Sequence, residues 1–145
     1  MKKHEDSPRE IVNQLMNRDR FSQWLGIRVL DISLGSCTCS MTVRKDMLNG
    51  FGILHGGVVF AMADSVLAFA SNSRGKLSLA LKVSISFLRR VGVGEILMAT
   101  ANEEYLGDKT GLYRIYIVNE KQEKVAVFDG TVYRTNRKSG EIKEE

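Results

Sequence analysis

Histidine, cysteine and proline are scarce in this chain: two, two and one among 145 residues. The histidines are His4, in a charged start, and His55, so a zinc site is not expected. Cys37 and Cys39 lie two apart in a strand-like segment and therefore on one face of it. Adjacent positions on a strand face are poor disulfide geometry, and no Cys-x-x-Cys pair exists. Both read as small buried hydrophobes, and a chain needing no disulfide framework suits a reducing compartment. Strong charge of one sign is also missing. The net charge is +4, much of it near the ends at Lys2, Lys3, Arg137, Lys138 and Lys143. Nucleic-acid binding would need a basic stripe interleaved with aromatics, and none is visible. A mildly basic surface still suits a phosphorylated small molecule. No apolar run is long enough for a membrane span of about 20 residues. The longest, Val58–Ala70, is short and broken by Asp64. The opening Met-Lys-Lys-His-Glu-Asp-Ser-Pro has no apolar signal core, so a cytoplasmic location is expected. Gly-x-Ser-x-Gly elbows, Walker loops and dinucleotide fingerprints are absent.

What is present fits one domain over 1–145, with flexible tails at 1–6 and from about 136. Ser7-Pro8-Arg9-Glu10 reads as a capping box opening an amphipathic helix with Ile11, Val12, Leu15 and Met16 at helical spacing. Phe21–Leu25 is one more turn, stopped by Gly26. The period then changes to two, giving a hairpin of strands at Ile27–Leu34 and Cys37–Val43. A loop at 46–53 leads into a long apolar helix over about 54–73. Leu77 to Phe87 alternates most cleanly of all. Strands over 95–106, 110–118 and 125–134 follow, and the four strands after the helix read as a meander, with a frayed tail from Thr135. This order predicts an α+β architecture: a six-stranded antiparallel sheet wrapped around a long central helix, with an N-terminal helix. The outer side of that unit needs cover, which oligomerisation would provide.

The chemistry concentrates where the long helix begins, at Leu54-His55-Gly56-Gly57, and at Asp64 within it. A carboxylate in an apolar helix must find a partner or shift its pKa. It is either a satisfied structural group or one that faces a cleft and works. The helix start offers free N–H groups and the positive end of the macrodipole. Gly56 would let a ligand approach the backbone and take a developing oxyanion, or would serve close helix–sheet packing. Asn49 would orient a water or the carboxylate, or simply make a turn with Gly50. His55 would fix the loop, or help polarise a substrate carbonyl. Gly56 and Asp64 are eight residues apart, about 12 Å along one helix. One short side chain cannot span that, so a site using both needs Asp64 from a second copy of the chain, with two equivalent sites per two-fold dimer.

Asn49-Gly50-Phe51-Gly52-Ile53-Leu54-His55-Gly56-Gly57 followed by Ala63-Asp64 resembles the signature of hotdog-fold acyl-CoA thioesterases. Met47-Leu48-Asn49-Gly50, Ser71-Asn72-Ser73-Arg74-Gly75, Phe87-Leu88-Arg89 and Lys109-Thr110-Gly111 are similar to the phenylacetate-degradation type. The resemblance covers roughly residues 10–135. It implies hydrolysis of an acyl-CoA thioester, with Asp64 as general base or nucleophile and the Gly56 N–H on the thioester oxygen. It implies that Asn49 holds the attacking water and His55 supports the loop. The site would cross a dimer interface, usually within a dimer of dimers. Leu54, Gly57 and Phe60 would line the substrate, and Phe60 with Met62 suits an apolar or aryl acyl group. Coenzyme A, the substrate's own carrier rather than a cofactor, would set its phosphates on Arg89, Arg90 and Lys109, which otherwise read as solvated strand ends. Arg90 stands where the family often has proline, and Lys82 where some relatives carry a small polar residue. A non-catalytic acyl-CoA sensor and a hydratase or dehydratase are the alternatives that the same fold hosts.

Overall fold

The computed structural model describes residues 4–141. The capping box forms as read. The Ser7 hydroxyl accepts from the Glu10 N–H at 3.2 Å, the Glu10 carboxylate accepts from the Ser7 N–H, and Pro8 opens α1 (Pro8–Arg18). Asp19 ends that helix and caps the next, α2 (Arg20–Leu25), which Gly26 terminates at φ 75°, in the left-handed region. The hairpin is β1 (Arg28–Ser33) and β2 (Ser36–Thr42). The long helix, α3 (Gly56–Asn72), precedes β3 (Lys76–Phe87), β4 (Ile96–Leu106), β5 (Thr110–Val118) and β6 (Lys124–Lys138). Among the described residues, no helix is long and apolar enough to cross a membrane.

All strand pairs are antiparallel, in the order β1-β2-β4-β5-β6-β3. This is the six-stranded sheet expected, but not the four-strand meander. β3 sits at the far edge beside β6, and β4 lies against β2. Alternation along a strand reports which face is buried and carries no information about which strand is its neighbour. The connection from Leu88 to Glu95 therefore crosses the end of the sheet, about three strand spacings or 15 Å. On the way, the Val91 carbonyl accepts from the Leu54 N–H and the Glu95 carbonyl from the Val43 N–H. That crossing carries it past the start of α3.

α3 lies on the concave face. Val59, Met62, Ala63, Val66, Leu67, Phe69 and Ala70 bury against Cys39, Met41, Leu97, Ala99, Ala101, Ile115, Ile117 and Phe128. Small residues set the helix close to the sheet: a Cβ on Gly130 would come within 2.7 Å of Leu67 Cδ2. Cys37 and Cys39 point into this core together, with their sulfurs 3.8 Å apart and both thiols free. At the far end of α3, Arg74 grips Glu103 through two hydrogen bonds of 2.9 and 3.1 Å, and the Tyr113 hydroxyl donates to the same carboxylate.

Two surfaces stay open in the single chain. One is a stripe of α3, with Gly57, Asp64 and Ala68 exposed. The other is β3, where Leu79, Leu81 and Phe87 are each more than half exposed. The last strand also runs past its expected end at Arg134. β6 continues to Lys138 and a short turn follows at Ser139–Glu141, because Ser139 is buried and its hydroxyl reaches the Asn72 carbonyl at 2.9 Å. Residues 1–3 and 142–145 of the expected tails lie outside the described residues.

Candidate active site

The start of α3 is ordered by His55. Its Nδ1 accepts from the Gly57 N–H at 2.8 Å, the N-cap hydrogen bond of the helix. The His55 carbonyl accepts from Val58 at 2.9 Å and from Val59 at 3.4 Å. Of the first N–H groups of α3, the Gly56 N–H finds no acceptor among the described residues. An oxyanion donor needs this arrangement: a free amide at the positive end of a helix dipole, in a fixed frame. With Nδ1 accepting, the neutral His55 ring carries its proton on Nε2, so it presents a second donor to solvent.

Both glycines answer to crowding. A Cβ on Gly56 would meet the Phe87 ring at 3.2 Å, and one on Gly57 would meet His55 Nδ1 at 2.9 Å. The packing reading and the donor reading of Gly56 are therefore compatible. Phe87 pairs with Ala126 at the end of β3, and the register shift between Ala80 and Lys82 separates its face from that of the exposed Leu79 and Leu81. The sequence pattern alone did not connect it to Gly56.

A cavity of about 320 Å³ opens beside Gly56. The loop and the helix supply Asn49, Ile53, Leu54 and Val59, and the crossing connection and its neighbours supply Phe87, Leu88, Arg89, Arg90, Val91 and Val125. Its body is apolar and its rim is cationic. Arg89 pairs with Glu123 of the β5–β6 loop, while Arg90 is exposed. Asn49 uses Oδ1 to accept from the Phe51 N–H at 2.9 Å and the Ile53 N–H at 3.3 Å, so it is a turn residue whose Nδ2 amide remains to donate.

Asp64 is elsewhere. It opens onto a separate cavity of about 200 Å³ with Leu67, Ala68, Ser71, Ser78, Leu79, Ala80 and Val132. Desolvation first, and then the charge of Asp19, raise its carboxyl pKa above the ordinary aspartate value. Phe60 packs edge-on against Phe128, with centroids 5.4 Å apart, partly buried against the core. The chain does not bring Lys109 to the cationic rim. Lys109 sits in the β4–β5 turn beside Asp108, whose carboxylate meets Lys76 just past the other end of α3. Lys82 faces away from α3, on the outer side of the sheet with Ser84, Glu104, Arg114 and Asp129. Asp19 carries no mark of its effect on Asp64 in the sequence, since a helix cap gives no signal of which helix it will stand beside.

A helix start with a free amide, held in the mouth of a sheet curled around that helix, defines a class of acyl-handling hotdog proteins. Residues 51–126 match the family model of the thioesterase superfamily. The chain is 39% identical over 120 residues to acyl-coenzyme A thioesterase PaaI of Escherichia coli, covering 83% of this chain and 86% of that protein. It is 38% identical over 126 residues to a putative esterase of Archaeoglobus fulgidus, covering 87% and 82%. The solved structure of the E. coli PaaI protein, from the phenylacetic acid degradation operon, superposes with a TM-score of 0.89 at 36% identity, over 90% of this chain and 95% of that one. The chain belongs to the thioesterase superfamily. It is an enzyme of the thioester-hydrolase class, and the resemblance read from residues 49–64 is borne out.

Proposed function

We propose that the protein hydrolyses an acyl-CoA thioester with an aryl or medium-chain acyl group, releasing the free acid and coenzyme A. The observation that carries this reading is the Gly56 N–H at the start of α3, without an acceptor among the described residues, beside an apolar cavity with an arginine rim. The thioester oxygen accepts from that amide and becomes an oxyanion as water, or Asp64 itself, adds to the carbonyl carbon. As general base, Asp64 takes the water proton and the carbon–sulfur bond then breaks, with the thiolate collecting a proton. Asn49 Nδ2 steadies the water, and His55 Nε2 donates toward the substrate. Phe60, Leu54 and Gly57 line the acyl side, and Arg89 and Arg90 take the phosphates.

The Asp64 of each site comes from a second copy. Two observations support this. The eight-residue separation puts Gly56 and Asp64 about 12 Å apart on one helix and in different cavities. The apolar edge of β3 and the stripe of α3 are open together, and a two-fold pairing of β3 edges would cover both. The same pairing runs the two α3 helices antiparallel, so the partner chain's α3 end, with its Lys109 turn, comes toward the arginine rim. A dimer is the minimal active unit, and two dimers form the tetramer.

His55 argues against hydratase chemistry on this frame. That chemistry wants the ring as a base, and here the basic Nδ1 is occupied by the Gly57 N–H. The test is thiol release from a panel of phenylacetyl, hydroxybenzoyl and straight-chain acyl-CoA esters, with Asp64→Asn in parallel. The expected result is turnover that falls by about 10²–10⁴ in the variant. Stabilisation by acyl-CoA esters without any thiol release would replace hydrolysis with a sensor role.

A further inference from the structure

We propose that Asp19 is a positioning residue for the Asp64 carboxylate: through Ser22 and Ser65 it clamps α2 onto α3 at the level of Asp64 and holds a second negative charge beside it. This rests on the reading of Asp64 as the base.

The clamp is a directed chain of hydrogen bonds. Asp19 Oδ1 accepts from the Ser22 N–H at 2.9 Å and Oδ2 accepts from the Ser22 hydroxyl at 2.6 Å. Ser22 Oγ lies 2.8 Å from Ser65 Oγ. Since the Ser22 proton goes to Asp19, the Ser65 hydroxyl must be the donor to Ser22. Ser22 is fully buried and Ser65 nearly so, so neither hydroxyl has water as an easy substitute. Ser65 follows Asp64 in α3, and this contact ties the two helices across 43 residues of sequence. A helix cap alone would need only the Ser22 N–H. The continuation to Ser65 is what points the arrangement at the catalytic helix.

Within its own chain, the electrostatic surroundings of Asp64 are one-sided. The wall toward β3 and β6 is Leu67, Ala68, Ser71, Ser78, Leu79, Ala80 and Val132, with no titratable side chain. Lys82, further along β3, lies on the outer face. From the helix pair, the charge that reaches Asp64 is that of Asp19, whose sequence neighbours are Arg18 and Arg20. Two carboxylates held near each other disfavour ionisation of the one less stabilised by hydrogen bonds; Asp19 accepts two from Ser22, so the effect falls on Asp64 and keeps a base nearer to its working range.

The experiment is a ¹³C-carboxyl NMR titration of Asp64 in the wild-type chain and in Asp19→Asn. Asparagine is as good a helix cap as aspartate, so this change removes the charge and keeps the cap. The expected result is a downward move of the Asp64 midpoint in Asp19→Asn. The acidic limb of the kcat/KM profile should move the same way, because the base is then ionised at lower pH. An unchanged midpoint overturns the proposal. If Asp19→Asn does not fold, the wild-type midpoint should fall with added salt, which screens like-charge repulsion, and a salt-independent midpoint is the overturning result. The titration needs no turnover, so failure of the hydrolysis reading would appear separately, as Asp64→Asn retaining its rate.

Discussion

In the proposed reaction, the residue that carries most of the chemistry has no side chain. Gly56 offers a backbone N–H, so ordinary substitutions leave the donor in place and only crowd Phe87. Proline removes it. Gly56 is the first residue of α3, where proline is favoured, and His55 before it is extended at φ −62° and ψ 132°, the conformation a pre-proline residue adopts. Gly56→Pro should therefore keep the helix, shift the Phe87 ring by a few tenths of an ångström, and lower kcat about 10²–10³-fold. Circular dichroism with steady-state kinetics on the acyl-CoA panel checks both halves. Full activity in the folded variant would exclude the Gly56 N–H as the oxyanion donor. His55 is a different kind of residue: its position is explained by the cap it makes, and any pull on substrate comes from the nitrogen left over.

At the scale of elements, the periodic segments were legible and the joints were not. Ser7 to Glu10, Gly26 and the β1–β2 hairpin follow from local rules that act within a few residues. The alternation from Leu77 to Phe87 gave β3 its identity but not its place, because pairing with β6 is decided by where α3 delivers the chain. The end of β6 was missed for a similar reason. Thr135 to Lys138 look like a solvated tail until Ser139 is seen to be anchored on Asn72. In the site, His55-Gly56-Gly57 and Asp64 stood out as residue types out of keeping with an apolar helix. Phe87 and Asp19 did not, since each is ordinary in its own element and matters through a neighbour far away in sequence. The closeness of α3 to β6 can be tested directly. Gly130→Ala places a methyl against Leu67 in a filled core, and should cost about 1–3 kcal/mol by urea unfolding. No loss would mean that Leu67 has room to move.

The whole molecule has one finished edge and one unfinished edge. β1 closes its side of the sheet with a bulge between Val29 and Asp31 and with charged residues, devices that discourage further pairing. β3 has register shifts too, at Lys76/Ser78 and Ala80/Lys82, but it is twice as long as β1 and presents Leu79 and Leu81 to solvent. That asymmetry fits a chain that adds a copy of itself on one side only. The proposed sharing of Gly56 and Asp64 between two copies then has a genetic consequence. Two inactive alleles would rescue each other. A chain carrying Gly56→Pro still owns a sound Asp64, and one carrying Asp64→Asn still owns a sound Gly56 amide. When the two are unfolded together and refolded, about half of the dimers are mixed, and each mixed dimer has one intact site and one doubly broken site. The blend of two dead proteins should recover roughly a quarter of wild-type activity. A blend as dead as its parents would place each site within a single chain.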